Sequence, residues 1–329
     1  MKVGMISFAH LHAESYASAL KALPGVEFVG IYDEDNNRGK EWAEKLSVMH
    51  FEKLEDLLKT DIEAVIICST NADHCRYTVA AAEAGKHVLV EKPIATNFAD
   101  AHKMIETCKK QNVKLQIAFP VRYLPSVLET KRIVESGQLG RILAIKATNH
   151  GSMPGGWFTE KDKAGGGAVI DHTVHVVDII RWMLGLEFKE IYAEYDRLIH
   201  NIETEDCGLL TMELTNNVFA TLDTSWNRPS AYPTWGDVTM TIIGTNGVLE
   251  LDGFSQKFDI YNNDVKKAQW EYFGGDMDYL LVKDFLEACK NNTPVKVTGE
   301  DGLKTLEVAL AAYESGKRHQ PVAIEEIRN

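Results

Sequence analysis

Residues 64–93 read AVIICSTNADHCRYTVAAAEAGKHVLVEKP, and this stretch decides the fold. Residues 64–68 and 87–90 are short apolar runs, which predicts two buried strands. Between them, residues 74–84 predict a helix that Gly85 closes, because glycine is the residue that most often follows a helix. A strand, a helix and a second strand in this order form a parallel βαβ unit with both faces of the sheet covered.

The same alternation of strand and helix signals runs from the first residues to about residue 120. Further strands are predicted at 3–8, 26–32, 48–51 and 113–119, and further helices at 13–23, 38–46, 54–59 and 98–110. We therefore predict an α/β protein in which domain 1–120 is a doubly wound parallel sheet.

The pattern changes after Phe119. Pro120 and Pro125 bracket a linker-like segment, and Thr245-Asn246-Gly247 is a hairpin-turn signal between two alternating runs. Strands are predicted at 142–148, 188–198, 208–214, 218–226, 238–243 and 248–252, and helices at 126–136, 279–290 and 301–315. Domain 121–329 is thus predicted to be α+β, built on an antiparallel meander.

Composition excludes several functional classes. The chain of 329 residues carries 48 acidic and 35 basic side chains, a net charge of −13. Such a chain repels phosphate backbones and anionic lipids, so neither nucleic acid nor a membrane is an expected partner. The five cysteines are scattered and form no CxxC pair, which is typical of reduced thiols in a cytoplasmic protein.

The first strand-to-helix turn lies in a sequence that reads VGMISFAHLH at residues 3–12. Ser7, Ala9 and His12 stand where a dinucleotide fingerprint has glycines, although the helix N-terminus can still offer N–H groups to a pyrophosphate. Asp33 ends the second strand, where a carboxylate binds both ribose hydroxyls and repels a 2′-phosphate, which favours NAD over NADP. Alternatively, Asp33 merely begins an acidic loop. Phe8 and Arg38 complete the predicted cofactor contacts of this region.

His10 and His12 allow another interpretation. A His-x-His pair after a first strand is similar to the metal-binding opening of amidohydrolase-like barrels. Those barrels need eight βα units, and the second half of this chain predicts a meander instead. The sequence therefore predicts no metal site here.

Polar residues follow two of the predicted buried strands. Ser69, Thr70 and Asn71 come after the strand at 64–68, and Glu91 and Lys92 after the strand at 87–90. Ligands bind at the carboxyl edge of open parallel sheets, so Lys92 can direct its ammonium into a crevice there. The alternative is an ordinary solvated lysine.

The strongest signal of the second domain is GGGAVIDHTVHVVD at residues 165–178. A helix is predicted to begin near Asp171, which places Asp171, His175 and Asp178 on one face. A histidine flanked by carboxylates suits general acid–base catalysis. The alternative is that Asp171 is an N-cap and His175 an interior histidine.

Together, STNADH, EKP and GGGAVIDHTVH resemble the Gfo/Idh/MocA family, named for glucose–fructose oxidoreductase and inositol dehydrogenase. The resemblance implies a Rossmann domain followed by an α+β domain with an open, mostly antiparallel sheet that mediates formation of a homodimer or homotetramer. It implies that Lys92 hydrogen-bonds the reacting oxygen, that His175 is the acid/base, and that Asp171 supports it. The remaining implied contacts are Asp178 and Arg122 for the substrate and Ser69, Thr70, Asn71, His74 and Glu91 for the cofactor.

The chain departs from the family pattern at the glycine-less turn and at His172, where many relatives carry an apolar residue. His172, with His10, His12 and His150, makes the expected pocket rich in histidine. Trp157, next to Phe158 in a glycine-rich loop, is predicted to stack on a sugar face, or else to anchor the loop.

The predicted function is hydride transfer between nicotinamide and a secondary hydroxyl of a sugar, inositol or other polyol, with NAD as cofactor. Two alternatives remain open. One is an NAD-dependent glycosidase or lyase that oxidises its substrate only transiently. The other is a non-catalytic regulator that binds NAD or sugar.

Overall fold

A computed structural model describes residues 1–264 and 266–328. The chain forms two compact units. The first contains residues 1–120 together with 276–303, and the second contains 121–275 together with the residues from 304 onward. The sequence predicted that all of 121–329 belongs to the second domain. In the structure, the segment 276–303 belongs to the first unit instead.

The first unit alternates strands and helices as predicted. Its strands are β1 (Lys2–Ile6), β2 (Glu27–Tyr32), β3 (Met49–Phe51), β4 (Ala64–Ile67), β5 (His87–Glu91) and β6 (Leu115–Ala118). Its helices are α1 (Ala13–Ala22), α2 (Asn36–Leu46), α3 (Leu54–Leu58), α4 (His74–Glu83) and α5 (Phe98–Lys110). Each of these five helices connects one parallel strand to the next along the chain, which is the doubly wound arrangement.

All six strands of this sheet are parallel, in the order β3-β2-β1-β4-β5-β6. The strand order reverses between β1 and β4, which are neighbours with Ile6 paired to Ile67. A crevice forms outside the carboxyl ends of strands at such a reversal, and this is where open α/β sheets bind ligands. The segments after β1, β4 and β5 therefore line one edge.

The segment 276–303 belongs to the first unit because its helix packs on α1. After residue 120 the helices are α6 (Pro125–Glu135), α7 (Lys161–Ala164), α8 (Ala168–Leu184), α9 (Met277–Lys290), α10 (Gly299–Arg318) and α11 (Ile324–Ile327). Helix α9 contacts α1, and both helices carry buried apolar residues, among them Leu281 and Phe285 on α9 and Tyr16 and Leu20 on α1. This packing buries apolar faces of both helices.

The second unit is built on a seven-stranded sheet in the order β12-β11-β7-β10-β9-β8-β15. Its strands are β7 (Ile142–Thr148), β8 (Phe188–Asp196), β9 (Cys207–Leu214), β10 (Phe219–Asp223), β11 (Thr239–Gly244), β12 (Gly247–Asp252) and β15 (Val322–Ala323), with a separate hairpin of β13 (Lys257–Asn262) and β14 (Lys267–Tyr272). The sheet is mostly antiparallel, as predicted. However, β7 and β10 are parallel neighbours, so it is not a simple meander, and the β13–β14 hairpin was not predicted.

Two further observations bear on earlier expectations. No helix in the described ranges is long and apolar enough to cross a membrane. All five cysteines are free thiols, and four of them are buried, in agreement with the reduced state that their spacing predicted.

Candidate functional site

The first turn of the first unit adopts a glycine-like conformation without glycine. Ser7 has a φ of 68°, in the left-handed region that the first glycine of a fingerprint usually occupies. Its N–H donates to Tyr32 O at 2.7 Å, and its hydroxyl donates to Glu34 Oε1 at 3.0 Å. The predicted strand 3–8 therefore ends at Ile6, because the chain turns sharply at Ser7.

Most peptide N–H groups of this turn already have acceptors. Ala9 N–H donates to Ser7 Oγ and His10 N–H to Cys68 O, while the N–H of Phe8 donates to Asp33. The N–H of Leu11 has no protein acceptor in the part of the chain that the structure describes, and Leu11 is 61% exposed. One open donor at the tip, next to the N-terminus of α1, fits an anionic pyrophosphate.

Asp33 is placed where the sequence predicted, at the carboxyl end of β2, but its carboxylate is already engaged. It is 1% exposed and accepts from the N–H groups of Phe8 and Asp35, both at 2.8 Å. Arg38 binds it in a bidentate pair, with Nε to Oδ2 at 2.9 Å and Nη2 to Oδ1 at 2.7 Å. Asp33 thus holds the turn, and ribose binding by Asp33 stays a prediction in which the ribose competes with Arg38 for the carboxylate.

The residues after β4 are buried and polar, as expected at a ligand-binding edge. Ser69 and Thr70 bond within the segment, to Thr70 O and Asp73 Oδ2. His74 is fully buried, and its Nδ1 lies 2.8 Å from Pro93 O; burial lowers its pKa. A neutral His74 thus ties the segment after β4 to the segment after β5, which favours a positioning role over direct cofactor contact. Asn71, 4% exposed, lies in the same edge segment.

Lys92 and Glu91 are both buried at the end of β5, with exposures of 4% and 0%. The backbone N–H of Lys92 donates to Glu91 Oε2 at 3.1 Å, and His12 Nδ1 lies 3.1 Å from Glu91 Oε1. Burial alone would raise the pKa of Glu91, but the charges of His10, His12 and Lys92 hold it well below its usual range. Glu91 is therefore an ionised carboxylate beside the lysine.

In the second unit, Glu205 shapes the start of α8. Its Oε1 accepts from the N–H groups of Gly167 and Val169, at 2.8 and 3.0 Å, and from the hydroxyl of Tyr313 at 2.7 Å. A Cβ at Gly167 would lie 2.0 Å from the backbone oxygen of Glu205, so only glycine fits. Sequence reasoning missed Glu205, because it lies 38 residues beyond Gly167, which stands at the start of the helix that it caps.

This cap starts α8 at Ala168, three residues earlier than predicted, so Asp171 lies inside the first turn and is not an N-cap. Asp171 Oδ2 accepts from Trp226 Nε1 at 3.2 Å and lies 3.3 Å from His172 Nε2. His172 Nδ1 is 2.7 Å from Asn149 O. His175 follows one turn later and is 5% exposed.

Arg122 and Asp178 bind each other. Two hydrogen bonds of 2.5 Å join the guanidinium to the carboxylate, and the side chains are 5% and 0% exposed. This buried bidentate pair fixes α8 against the segment that precedes α6. It gives both residues a structural role, and their contact with a substrate stays a prediction.

Trp157 and Phe158 stack on each other, with ring centroids 3.9 Å apart. Phe158 belongs to a buried cluster with Ala168 and Trp226, and Trp157 packs against that cluster. This geometry supports the alternative given above, in which the two rings anchor their loop, over sugar stacking by Trp157.

His150 belongs to a charged cluster that the sequence did not predict. Its Nε2 is 3.1 Å from Asp223 Oδ2, its Nδ1 is 3.0 Å from Asp237 Oδ2, and Arg228 also binds Asp237. Burial alone would lower the pKa of His150, but hydrogen bonds with the two carboxylates raise it to about 9. The imidazolium therefore joins the carboxyl ends of the parallel neighbours β7 and β10 near neutral pH.

Comparisons with known proteins agree with the folds of the two units. Residues 1–119 match the profile described as oxidoreductase family, NAD-binding Rossmann fold, and residues 127–250 match that of the GFO/IDH/MocA C-terminal domain. The chain is 27% identical to a myo-inositol 2-dehydrogenase of Thermotoga maritima over 99% of both chains. It is 25% identical to a 2,7-anhydro-N-acetylneuraminate hydratase of Mediterraneibacter gnavus, over 80% of this chain and 74% of that protein.

Among solved structures, a scyllo-inositol dehydrogenase from Lactobacillus casei with bound NAD(H) and scyllo-inositol has the same fold. Its TM-score is 0.85, with 24% identity and 99% of each chain covered.

Proposed function

The chain belongs to the Gfo/Idh/MocA family of oxidoreductases, and from that premise we propose that it is an NAD-dependent dehydrogenase of a sugar, an inositol or another polyol. The reaction is the reversible oxidation of a secondary hydroxyl to a ketone. The myo-inositol 2-dehydrogenase among its relatives supports this substrate class.

The observation that carries the proposal is the position of Lys92. It directly follows β5, at the carboxyl edge of the parallel sheet, and it is 4% exposed beside the ionised Glu91. A solvated surface lysine would have no reason to be buried at this edge. A buried ammonium there can donate to a substrate oxygen and stabilise the negative charge that develops on it.

NAD fits the first unit through the open Leu11 N–H, the N-terminus of α1 and the polar residues after β4. When bound, its nicotinamide supplies the hydride acceptor. Lys92 orients and polarises the substrate oxygen, and Glu91 holds the backbone that carries Lys92. The buried positions of both residues limit their access to water, which strengthens the electrostatic effect of the ammonium.

In the second unit, we assign the proton transfer to His175. Its imidazole takes the hydroxyl proton during oxidation and returns it during reduction, a role worth roughly 10²–10⁴-fold in rate. Asp171, one helical turn earlier, is held by Trp226 Nε1 and places a negative charge on the same face of α8.

We also propose that the protein acts in the cytoplasm as a homodimer or homotetramer, as the reduced cysteines and the family resemblance imply.

The test is to incubate the purified protein with NAD and a panel of inositols, aldoses and open-chain polyols, and to follow NADH by absorbance and ketone by mass spectrometry. We expect one NADH per ketone formed. The hydratase relative favours a second candidate, transient oxidation without net redox change; that enzyme would consume its substrate with no NADH. Tight binding of NAD and sugar without turnover would instead indicate a regulator.

We predict that NAD binds at least about 10-fold more tightly than NADP, because the Asp33 carboxylate repels a 2′-phosphate. Calorimetry on nucleotide-free protein measures both affinities. The Asp33→Asn variant keeps the size of the side chain but removes its charge, and we expect the preference to fall close to one.

Arg38→Gln is the matched variant, because it releases Asp33 from its bidentate partner. We expect it to preserve or increase the preference for NAD. A contrary outcome has two parts: the wild type binds both dinucleotides, and Arg38→Gln no longer binds NADP. In that case Arg38 binds the 2′-phosphate and the assignment of Asp33 is wrong.

A further inference from the structure

Three side chains of the first unit converge on one point from two segments. His10 and His12 come from the turn after β1, and Glu91 comes from the end of β5. One ligand atom from each lies within 4.8 Å of the other two. His12 Nδ1 is 3.1 Å from Glu91 Oε1, and His10 Nε2 is 3.8 Å from Glu91 Oε2.

Two imidazole nitrogens and one carboxylate oxygen form a ligand set that binds divalent transition ions. In a tetrahedral zinc centre with bonds of about 2.0–2.1 Å, ligand atoms lie about 3.3–3.5 Å apart. The two distances to Glu91 lie on either side of that spacing. The longest separation between the three ligand atoms is at most 4.8 Å, so side-chain rotations of about 1 Å would bring them around an ion.

The charge around the cluster also favours a cation. The Glu91 side chain is fully buried, and a second carboxylate, Asp278 of α9, is 9% exposed. Asp278 Oδ1 is buried and has no hydrogen-bond partner in the described ranges. The charge of Asp278 acts on His12 in the same direction as that of Glu91, while the ammonium of Lys92 opposes it. Two buried carboxylates thus act electrostatically on one partly exposed imidazole.

The rings are placed so that an ion can enter. The side chain of His12 is 29% exposed, whereas those of His10 and Glu91 are 3% and 0% exposed. An ion can therefore approach from the side of His12 and keep an open coordination position there. The N–H of His12 donates to His10 Nδ1 at 3.2 Å. To bind an ion through Nε2, the His10 ring must carry its proton on Nδ1. This one hydrogen bond from the His12 N–H is then lost.

We propose that His10, His12 and Glu91 bind one divalent transition-metal ion of the zinc and cobalt class, with a fourth position open to solvent or ligand. The sequence argument against a metal concerned only an eight-stranded barrel. Here the third ligand comes from a strand end of the Rossmann sheet, 79 residues beyond His12. The proposal stands independently of the dehydrogenase function.

The experiment is a titration of untagged, chelator-treated protein with Co²⁺ alone, without NAD or substrate, followed by visible absorption. We expect one Co²⁺ per chain, with the intense ligand-field bands of a four-coordinate site, and displacement by Zn²⁺. His12→Gln and Glu91→Gln should weaken binding at least about 10-fold, because each removes one of three ligands. His102→Ala, which removes an exposed histidine of α5, is the matched control and should bind like the wild type.

Circular dichroism of each metal-free variant separates loss of the site from loss of the fold. His12→Gln is the more informative variant, since its side chain is partly exposed. The proposal is overturned if no four-coordinate Co²⁺ spectrum appears, or if His12→Gln leaves the spectrum unchanged. The three side chains would then form only a network of ion pairs and hydrogen bonds. Neither result depends on NADH production, so failure of the dehydrogenase assay would be a separate finding.

Discussion

Replacing Lys92 with alanine is expected to lower kcat for polyol oxidation by at least about 10³-fold, while the Kd for NAD changes less than about threefold. Lys92 carries a positive charge and is buried at the carboxyl end of β5, next to Glu91. Its interaction with the substrate oxygen strengthens as negative charge develops there, so the loss falls on the transition state more than on binding. Steady-state kinetics and calorimetry measure the two quantities.

Lys92→Arg tests geometry against charge. Arginine keeps the positive charge but replaces a compact ammonium with a planar fork, so partial activity is expected. Lys109→Ala, an exposed lysine on α5, is the matched control and should leave kcat unchanged. Wild-type turnover in Lys92→Ala would remove this residue from the mechanism.

The second large effect is expected at His175. His175→Gln should lower kcat by about 10²–10⁴-fold, because glutamine keeps polarity but cannot exchange the proton. The pH profile separates this role from a structural one. Oxidation needs the neutral imidazole and should rise with pH in the wild type, whereas ketone reduction needs the imidazolium and should fall. Both limbs should disappear in the variant.

His319→Gln is the matched control in the second unit, since that side chain is 73% exposed and pairs with Glu194 at the surface. It should preserve the rate and both limbs of the profile. If His175→Gln keeps the pH dependence of the wild type while its rate falls, another group transfers the proton and His175 only positions the substrate.

The fold was predictable from the sequence because its signals are local. Apolar runs of four to six residues separated by amphipathic helices give the parallel sheet, and predicted α5 and β7 agree with the structure in both bounds. The hairpin of β13 and β14 was missed although apolar and polar residues alternate in it, as at Phe258-Asp259-Ile260, because each strand is only six residues long and contributes few apolar side chains.

The candidate site was only partly predictable because its contacts join distant parts of the chain. The start of α8 depends on Glu205, 38 residues beyond Gly167. Arg122 and Asp178 pair across 56 residues, and no local pattern in either segment indicates the other. Arg38 and Asp33 are only five residues apart. Even so, a single arginine at the start of a helix does not reveal which nearby carboxylate it binds.

The return of residues 276–303 to the first unit has a consequence for synthesis on the ribosome. A chain that has emerged only as far as residue 120 contains the whole six-stranded sheet but lacks α9, the helix that packs on α1. The side of α1 that α9 contacts therefore stays exposed to water until residues 121–290 have been made. We therefore expect the nascent first unit to pack its sheet incompletely, to bind chaperones, and to complete its fold only when residues 276–303 have been made.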